Sequence, residues 1–180
     1  MSDFWVFGYG SLMWRPGFDF VELVPARLKG LHRSLCVYSH VHRGTPECSG
    51  LVLGLDRGGT CRGIAFRIAP RSWESTLAYL RAREQVTMVY RETRRSVDLL
   101  DDSGRRVRAL CYVVDRRHPQ YAGALPLETQ LECVRRGNGL SGSNVDYVLN
   151  TLAHLTEIGI ADYRLEALGR TLTGPAANAG

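Results

Sequence analysis

The chain has 180 residues, 44% of them hydrophobic and 23% charged, which predicts one compact soluble domain that needs no disulfide staples. No apolar run approaches the ~20 residues of a membrane span, and the start, Met1-Ser2-Asp3-Phe4, has neither the basic segment nor the apolar stretch of a secretory signal. The net charge of +5, carried by arginines with Lys29 as the one lysine, favours anionic partners, but no stacking aromatics interleave with those arginines in a nucleic-acid motif, so no nucleic-acid partner is expected.

In chain order, Phe4–Phe7 reads as a buried strand that stops at the turn Gly8-Tyr9-Gly10. Arg27–Ser39 alternates roughly and predicts a second strand. Gly50–Leu55 and Cys61–Ile68 flank Asp56-Arg57-Gly58-Gly59-Thr60, a hairpin signal because glycine supplies positive φ at no cost. From Pro70 to Gln85 the period changes: Trp73, Leu77 and Leu80 share one face of a helix, with Ser72 as its N-cap. Val89–Leu100 and Arg105–Val114 enclose Asp101-Asp102-Ser103-Gly104 as another hairpin. After a proline-bearing loop, helices are predicted over Leu127–Arg136, Ser143–Ile158 and Asp162–Leu172. The sum is an α+β domain over residues 1–173: a small, mostly antiparallel sheet, closed or strongly curled, with helices around it. Residues 174–180 are expected to be a frayed tail.

Continuing the stripe Trp73, Leu77, Leu80 by four residues reaches Glu84. A carboxylate at a core position has its pKa raised by burial, which suits a general acid/base. The alternatives are that the helix ends near Arg83 and Glu84 faces water, or that it forms a structural ion pair with a neighbouring arginine. Gly8-Tyr9-Gly10-Ser11-Leu12 can expose successive N–H groups as an anion-binding nest, or it is an ordinary turn. It lacks the third glycine of a dinucleotide fingerprint and the frame of a nucleophile elbow. His40 and His42 alternate on one strand but find no further ligand at sensible spacing, so no metal site is expected. Arg43 is an anion contact or a loop-fixing group. Tyr90 and Tyr147 are core tyrosines with satisfied hydroxyls or substrate contacts. Five cysteines, at 36, 48, 61, 111 and 133, lack C-x-x-C spacing and fit reduced thiols in the cytoplasm.

The opening Trp5-Val6-Phe7-Gly8-Tyr9-Gly10-Ser11-Leu12-Met13-Trp14 resembles that of ChaC-type, glutathione-specific γ-glutamylcyclotransferases. The resemblance continues in order through His42–Pro46, Cys61–Arg67, Tyr79–Glu84, Tyr121–Glu128 and Gly139–Tyr147. It implies the barrel-and-helix γ-glutamylcyclotransferase-like fold, with Gly8, Tyr9, Gly10, Ser11, Leu12 and Met13 cradling the γ-glutamyl head. It implies Glu84 as catalytic acid/base, Tyr147 as a substrate contact, glutathione as substrate and no cofactor. The pattern departs at Met88, where a glycine is expected; Met88 lies in the loop that leads to Tyr90. Two other readings stay open: the same chemistry on other γ-glutamyl amino acids or amines, and a non-catalytic module that binds a γ-glutamyl metabolite. Oligomeric state is not legible.

Overall fold

A computed structural model describes residues 4–174. The predicted tail lies, from residue 175 on, outside the described residues. The chain gathers into two compact units, one built from the residues up to Val37 and Leu53–Tyr121, the other from Tyr38–Val52 and the chain from Ala122 on.

The first unit is a closed barrel of five strands: β1 (Phe4–Gly8), β2 (Glu22–Ser39), β3 (Gly50–Ile68), β4 (Tyr90–Leu99) and β5 (Arg106–Val114), in the order β1-β3-β2-β4-β5. β1 runs antiparallel to β3, from Phe4↔Ile68 to Gly8↔Ile64. It runs parallel to β5 through Trp5↔Ala109 and Val6↔Leu110, which closes the ring. β4 and β5 form the predicted hairpin, paired from Tyr90↔Val114 to Asp98↔Arg106. Closure leaves no open sheet edge in the ring, and its strands bury large side chains such as Phe7, Phe66, Leu28, Leu55 and Tyr112.

The predicted hairpin at Asp56–Thr60 is corrected by the structure. Residues 50–68 form one strand of 19 residues rather than two. Gly58 and Gly59 do take positive φ, 97° and 67°, but they bend a continuous strand instead of reversing it. β3 pairs with β1 through residues 64–68 and has β2 on its other side. β2 also starts earlier than predicted, at Glu22. Its buried residues run Val24, Ala26, Leu28 and then Leu31, Arg33, Leu35. The alternation changes phase at Gly30, whose φ is +82°, as a strand does when one extra residue is inserted. That phase change turns Arg33 inward.

α1 (Trp73–Glu84) follows a single turn of 3-10 helix at Pro70–Ser72. Ser72 does not cap it through its side chain. The helix buries Trp73, Thr76 and Leu80, while Leu77 is half-buried. Trp73 stacks on Phe4 of β1 with ring centroids 4.6 Å apart. At the other end, Arg81 holds Glu92 of β4 through two bonds, Nε to Oε2 at 2.8 Å and Nη2 to Oε1 at 2.9 Å. The helix is therefore tied to the barrel at both ends.

The second unit contains α2 (Leu127–Arg136), a two-stranded ribbon of β6 (Asn138–Gly139) and β7 (Gly142–Ser143), α3 (Asn144–Glu157) and α4 (Tyr163–Thr173). The three helices pack on one another. Ser143 caps α3 by accepting from the Asp146 N–H at 3.0 Å, and Asp162 caps α4 by accepting from the Leu165 N–H at 3.1 Å. No helix among the described residues is long and apolar enough to cross a membrane.

Candidate active site

Glu84 is the C-terminal residue of α1, and its side chain is 17% exposed. Burial pushes its carboxyl above the ordinary 4.5, and the positive charge of Arg83 opposes the shift. The unpaired carbonyls of a helix C-terminus disfavour a carboxylate further. The Arg83 Nε lies 3.4 Å from Glu84 Oε1, a contact too long to quench the site as a tight ion pair would. Helix ending and ion pairing are thus both present, yet the carboxylate is withdrawn from bulk water.

Facing Glu84 is the turn that follows β1. Ser11–Met13 makes one turn of 3-10 helix, anchored by the buried Leu12 and Met13. Its N–H groups at Ser11 and Leu12 lie at the start of a helical turn, where no intrahelical acceptor exists. The Met13 N–H goes to the Gly10 carbonyl at 2.9 Å. Tyr9, Gly10, Ser11 and Leu12 line a cavity of about 80 Å³ together with Leu53, Glu84 and Tyr90. Gly8 and Met13 frame the turn without being among the lining residues. Tyr90 donates its hydroxyl to the Leu53 carbonyl at 2.7 Å, so it closes one wall and fixes β4 to β3.

Two arginines that sequence reasoning did not single out hold this arrangement. Arg83 donates Nη2 to Ser11 Oγ at 2.8 Å, and Nη1 to the Arg15 carbonyl at 2.7 Å and to the Tyr79 hydroxyl at 2.9 Å. Because Ser11 accepts from Arg83, its own O–H remains a donor. Arg33, only 7% exposed, donates Nε to the Tyr9 carbonyl at 2.6 Å and Nη2 to the Arg62 carbonyl at 2.7 Å. It holds the glycine turn from β2. The signal for Arg33 lay in its alternation with Leu31 and Leu35; Arg83 gave none for its hold on Ser11 and Arg15, which lie 72 and 68 residues away.

Arg43 and Tyr147 belong to the second unit and meet each other there. The Arg43 guanidinium lies 5.4 Å from the Tyr147 ring centroid, and its Nη1 donates to the Ser141 and Ser143 carbonyls at 2.6 and 3.2 Å. His40 and His42 pair with serine hydroxyls, Ser49 Oγ and Ser141 Oγ, each at 2.9 Å.

A family model described as ChaC-like protein matches residues 4–173, running through both units. The chain belongs to that family. Among its relatives is the glutathione-specific γ-glutamylcyclotransferase of Escherichia coli (strain K12), 35% identical over 164 residues that cover 91% of this chain and 70% of the relative. The glutathione-specific γ-glutamylcyclotransferase 1 of Danio rerio is 32% identical over 165 residues, covering 89% and 83%. A crystal structure of the yeast γ-glutamyl cyclotransferase specific to glutathione superposes with a TM-score of 0.85 over 96% of each chain, at 23% identity. That likeness shows the fold: the barrel and helices of this ChaC-like chain are those of a γ-glutamyl cyclotransferase.

Proposed function

We propose that this chain is a glutathione-specific γ-glutamylcyclotransferase that forms 5-oxoproline and Cys-Gly, with Glu84 as its acid/base. The observation that carries the reading is one cavity lined by both a carboxylate raised by burial and the turn at residues 9–12. The names of the relatives support the substrate.

In this reading the γ-glutamyl α-amine attacks the substrate's own γ-carbonyl and closes a five-membered lactam. The nucleophile is tethered, so holding the chain folded supplies much of the rate through effective molarity. Glu84 as carboxylate takes a proton from the ammonium, and as carboxylic acid returns one to the departing nitrogen of Cys-Gly. Burial raises its basicity for the first step, and the charge of the nearby Arg83 opposes that shift. The Ser11 and Leu12 N–H groups and the Ser11 hydroxyl donate to the α-carboxylate or the tetrahedral oxyanion, about 2–4 kcal/mol for each well-aimed donor. Arg43 and Tyr147 are candidate substrate contacts, supported by their pairing with one another. Both units serve one functional domain over residues 1–173, supported by the single family match. Five free cysteines support a reducing, cytoplasmic setting.

Product analysis tests the proposal. Purified protein incubated with reduced glutathione is expected to release equal amounts of 5-oxoproline and Cys-Gly. A panel of γ-glutamyl amino acids and γ-glutamylamines is expected to release far less. Comparable turnover across the panel would remove the glutathione specificity, and no 5-oxoproline from any member would leave a binding module.

A further inference from the structure

Among the described residues, Arg33 is the only buried cation, 7% exposed, and it owes that place to the phase change of β2 at Gly30. Burying a guanidinium is costly unless its donors are used. Arg33 spends them on backbone: Nε donates to the Tyr9 carbonyl at 2.6 Å and Nη2 to the Arg62 carbonyl at 2.7 Å. One side chain of β2 thereby ties the turn after β1 to β3. A neutral donor would satisfy the same carbonyls with less desolvation, so a tie alone does not account for a charge at this place.

The Tyr9 carbonyl and the Gly10 N–H are two ends of one peptide group. No peptide bond among the described residues is cis, so this N–H points opposite to its C=O. The Gly10 N–H therefore faces away from Arg33. A charged donor on the oxygen draws electron density from the nitrogen and makes the N–H a stronger donor. Gly10 itself lines the cavity that holds Glu84, and a side chain there would first meet Leu53 Cδ1, another lining residue, at 3.7 Å. The Gly10 carbonyl accepts from the Met13 N–H at 2.9 Å, so the two carbonyls of this stretch are both engaged within the protein.

We infer that Arg33 is a positioning residue for the substrate's anionic head: it works through the Tyr9–Gly10 peptide and makes the Gly10 N–H the donor that selects the free α-carboxylate of a γ-glutamyl group. The inference rests on the reading that this cavity takes a γ-glutamyl compound. A permanent charge behind the turn suits a permanent anion in front of it. The α-carboxylate keeps its charge from binding to product release, whereas a tetrahedral oxyanion exists only in passing. Arg33 therefore acts on KM more than on kcat.

The test compares glutathione with an analogue that carries a carboxamide in place of the α-carboxylate. Both are titrated by calorimetry into the Glu84→Gln chain, where the ligand persists. Adding Arg33→Met is expected to weaken glutathione about tenfold, the size of a lost hydrogen bond to a charged group, and the carboxamide no more than about twofold. With Glu84 intact, Arg33→Met is expected to raise KM about tenfold and to hold kcat within about threefold. Arg33→Lys, which keeps the charge, is expected to recover most of the preference for the carboxylate. Equal weakening of the two ligands overturns the inference, because that is what a purely structural tie produces. Should Arg33→Met not fold, the Gly10 amide proton of the chain with Arg33 in place carries the test by NMR. It is expected to move downfield with glutathione and much less with the carboxamide, and equal movement overturns the inference. The two levels separate cleanly. If neither the Glu84→Gln nor the unmodified chain binds a γ-glutamyl compound, the reading of the cavity fails. If glutathione binds with a preference for its α-carboxylate that Arg33→Met leaves intact, only the role of Arg33 fails.

Discussion

Two carboxylates in the barrel unit are withdrawn from water and have opposite fates. Asp56, 4% exposed, is fully engaged: Arg116 Nε donates to Oδ1 at 2.7 Å, the Arg57 N–H to Oδ1 at 2.8 Å and the Tyr121 hydroxyl to Oδ2 at 2.7 Å. Burial alone would raise its pKa, but those bonds outweigh it and hold the carboxyl below the ordinary 3.8. Glu84 is also desolvated, with the single 3.4 Å Arg83 contact as compensation, and its pKa goes up. Burial therefore does not make a carboxylate reactive. Unfilled acceptor capacity does, because little then offsets the cost of desolvating the charged form.

Substitutions that remove each charge while keeping the shape sharpen this contrast. Glu84→Gln is expected to lower 5-oxoproline formation at least about a hundredfold, the size of a lost acid/base. Its thermal midpoint should equal or exceed that of the unmodified chain at neutral pH. Retained activity would make Glu84 a second Asp56. Asp56→Asn is expected to leave the chemistry within a few-fold and to cost about 2 kcal/mol of stability, with the exposed side of Arg116 reducing the loss. Denaturant titration reads the stability, and a loss of kcat without loss of stability would break the comparison.

The pH dependence carries the same distinction with opposite signs. The Glu84 carboxyl is raised on folding, so the stability it contributes is complete below its ordinary 4.5 and is lost as pH rises through the folded value. Asp56 is lowered, so its contribution is complete above its ordinary 3.8 and is lost as pH falls through the folded value. Thermal midpoints between about pH 3 and 7 should show the advantage of Glu84→Gln growing toward neutrality. The deficit of Asp56→Asn should shrink toward acid. Parallel curves for the two variants would contradict the assigned shifts.

Glu84 was legible because helical phase is local: Leu80 plus four residues reaches it, and α1 ends there. The turn at Gly8–Met13, the β4–β5 hairpin and the helices of the second unit were legible for the same reason, each being marked by neighbours in sequence. Asp56 was not. Sequence placed it at the mouth of a hairpin turn, whereas the structure puts it inside a continuous β3. A glycine pair permits both reversal and bending, and only pairing of β3 with β2 and β1 decides between them. Arg83 and Arg33 were missed in their holding roles because their acceptors, carbonyls and hydroxyls up to 72 residues away, carry no residue-type signature.

The backbone repeats the contrast on a smaller scale. Beside Asp56 the positive φ angles fall on Gly58 and Gly59, where they cost nothing; beyond Glu84 one falls on Met88, at φ 59°. This is the position where sequence comparison expected glycine. An L residue there is disfavoured by about 1–2 kcal/mol, and the Met88 side chain is 60% exposed, so it regains little by packing. Met88→Gly is expected to raise stability by at most about 1 kcal/mol, since the unfolded chain gains freedom and offsets part of the relief. Denaturant midpoints with an unchanged slope check it. The more telling measurement is kcat/KM, because the loop joins Glu84 to Tyr90, both at the cavity wall. If relaxing Met88 stabilises the chain and slows turnover, the strain serves to hold Glu84 and Tyr90 in place. If turnover is unchanged, Glu84 is held by α1 and Arg83 alone.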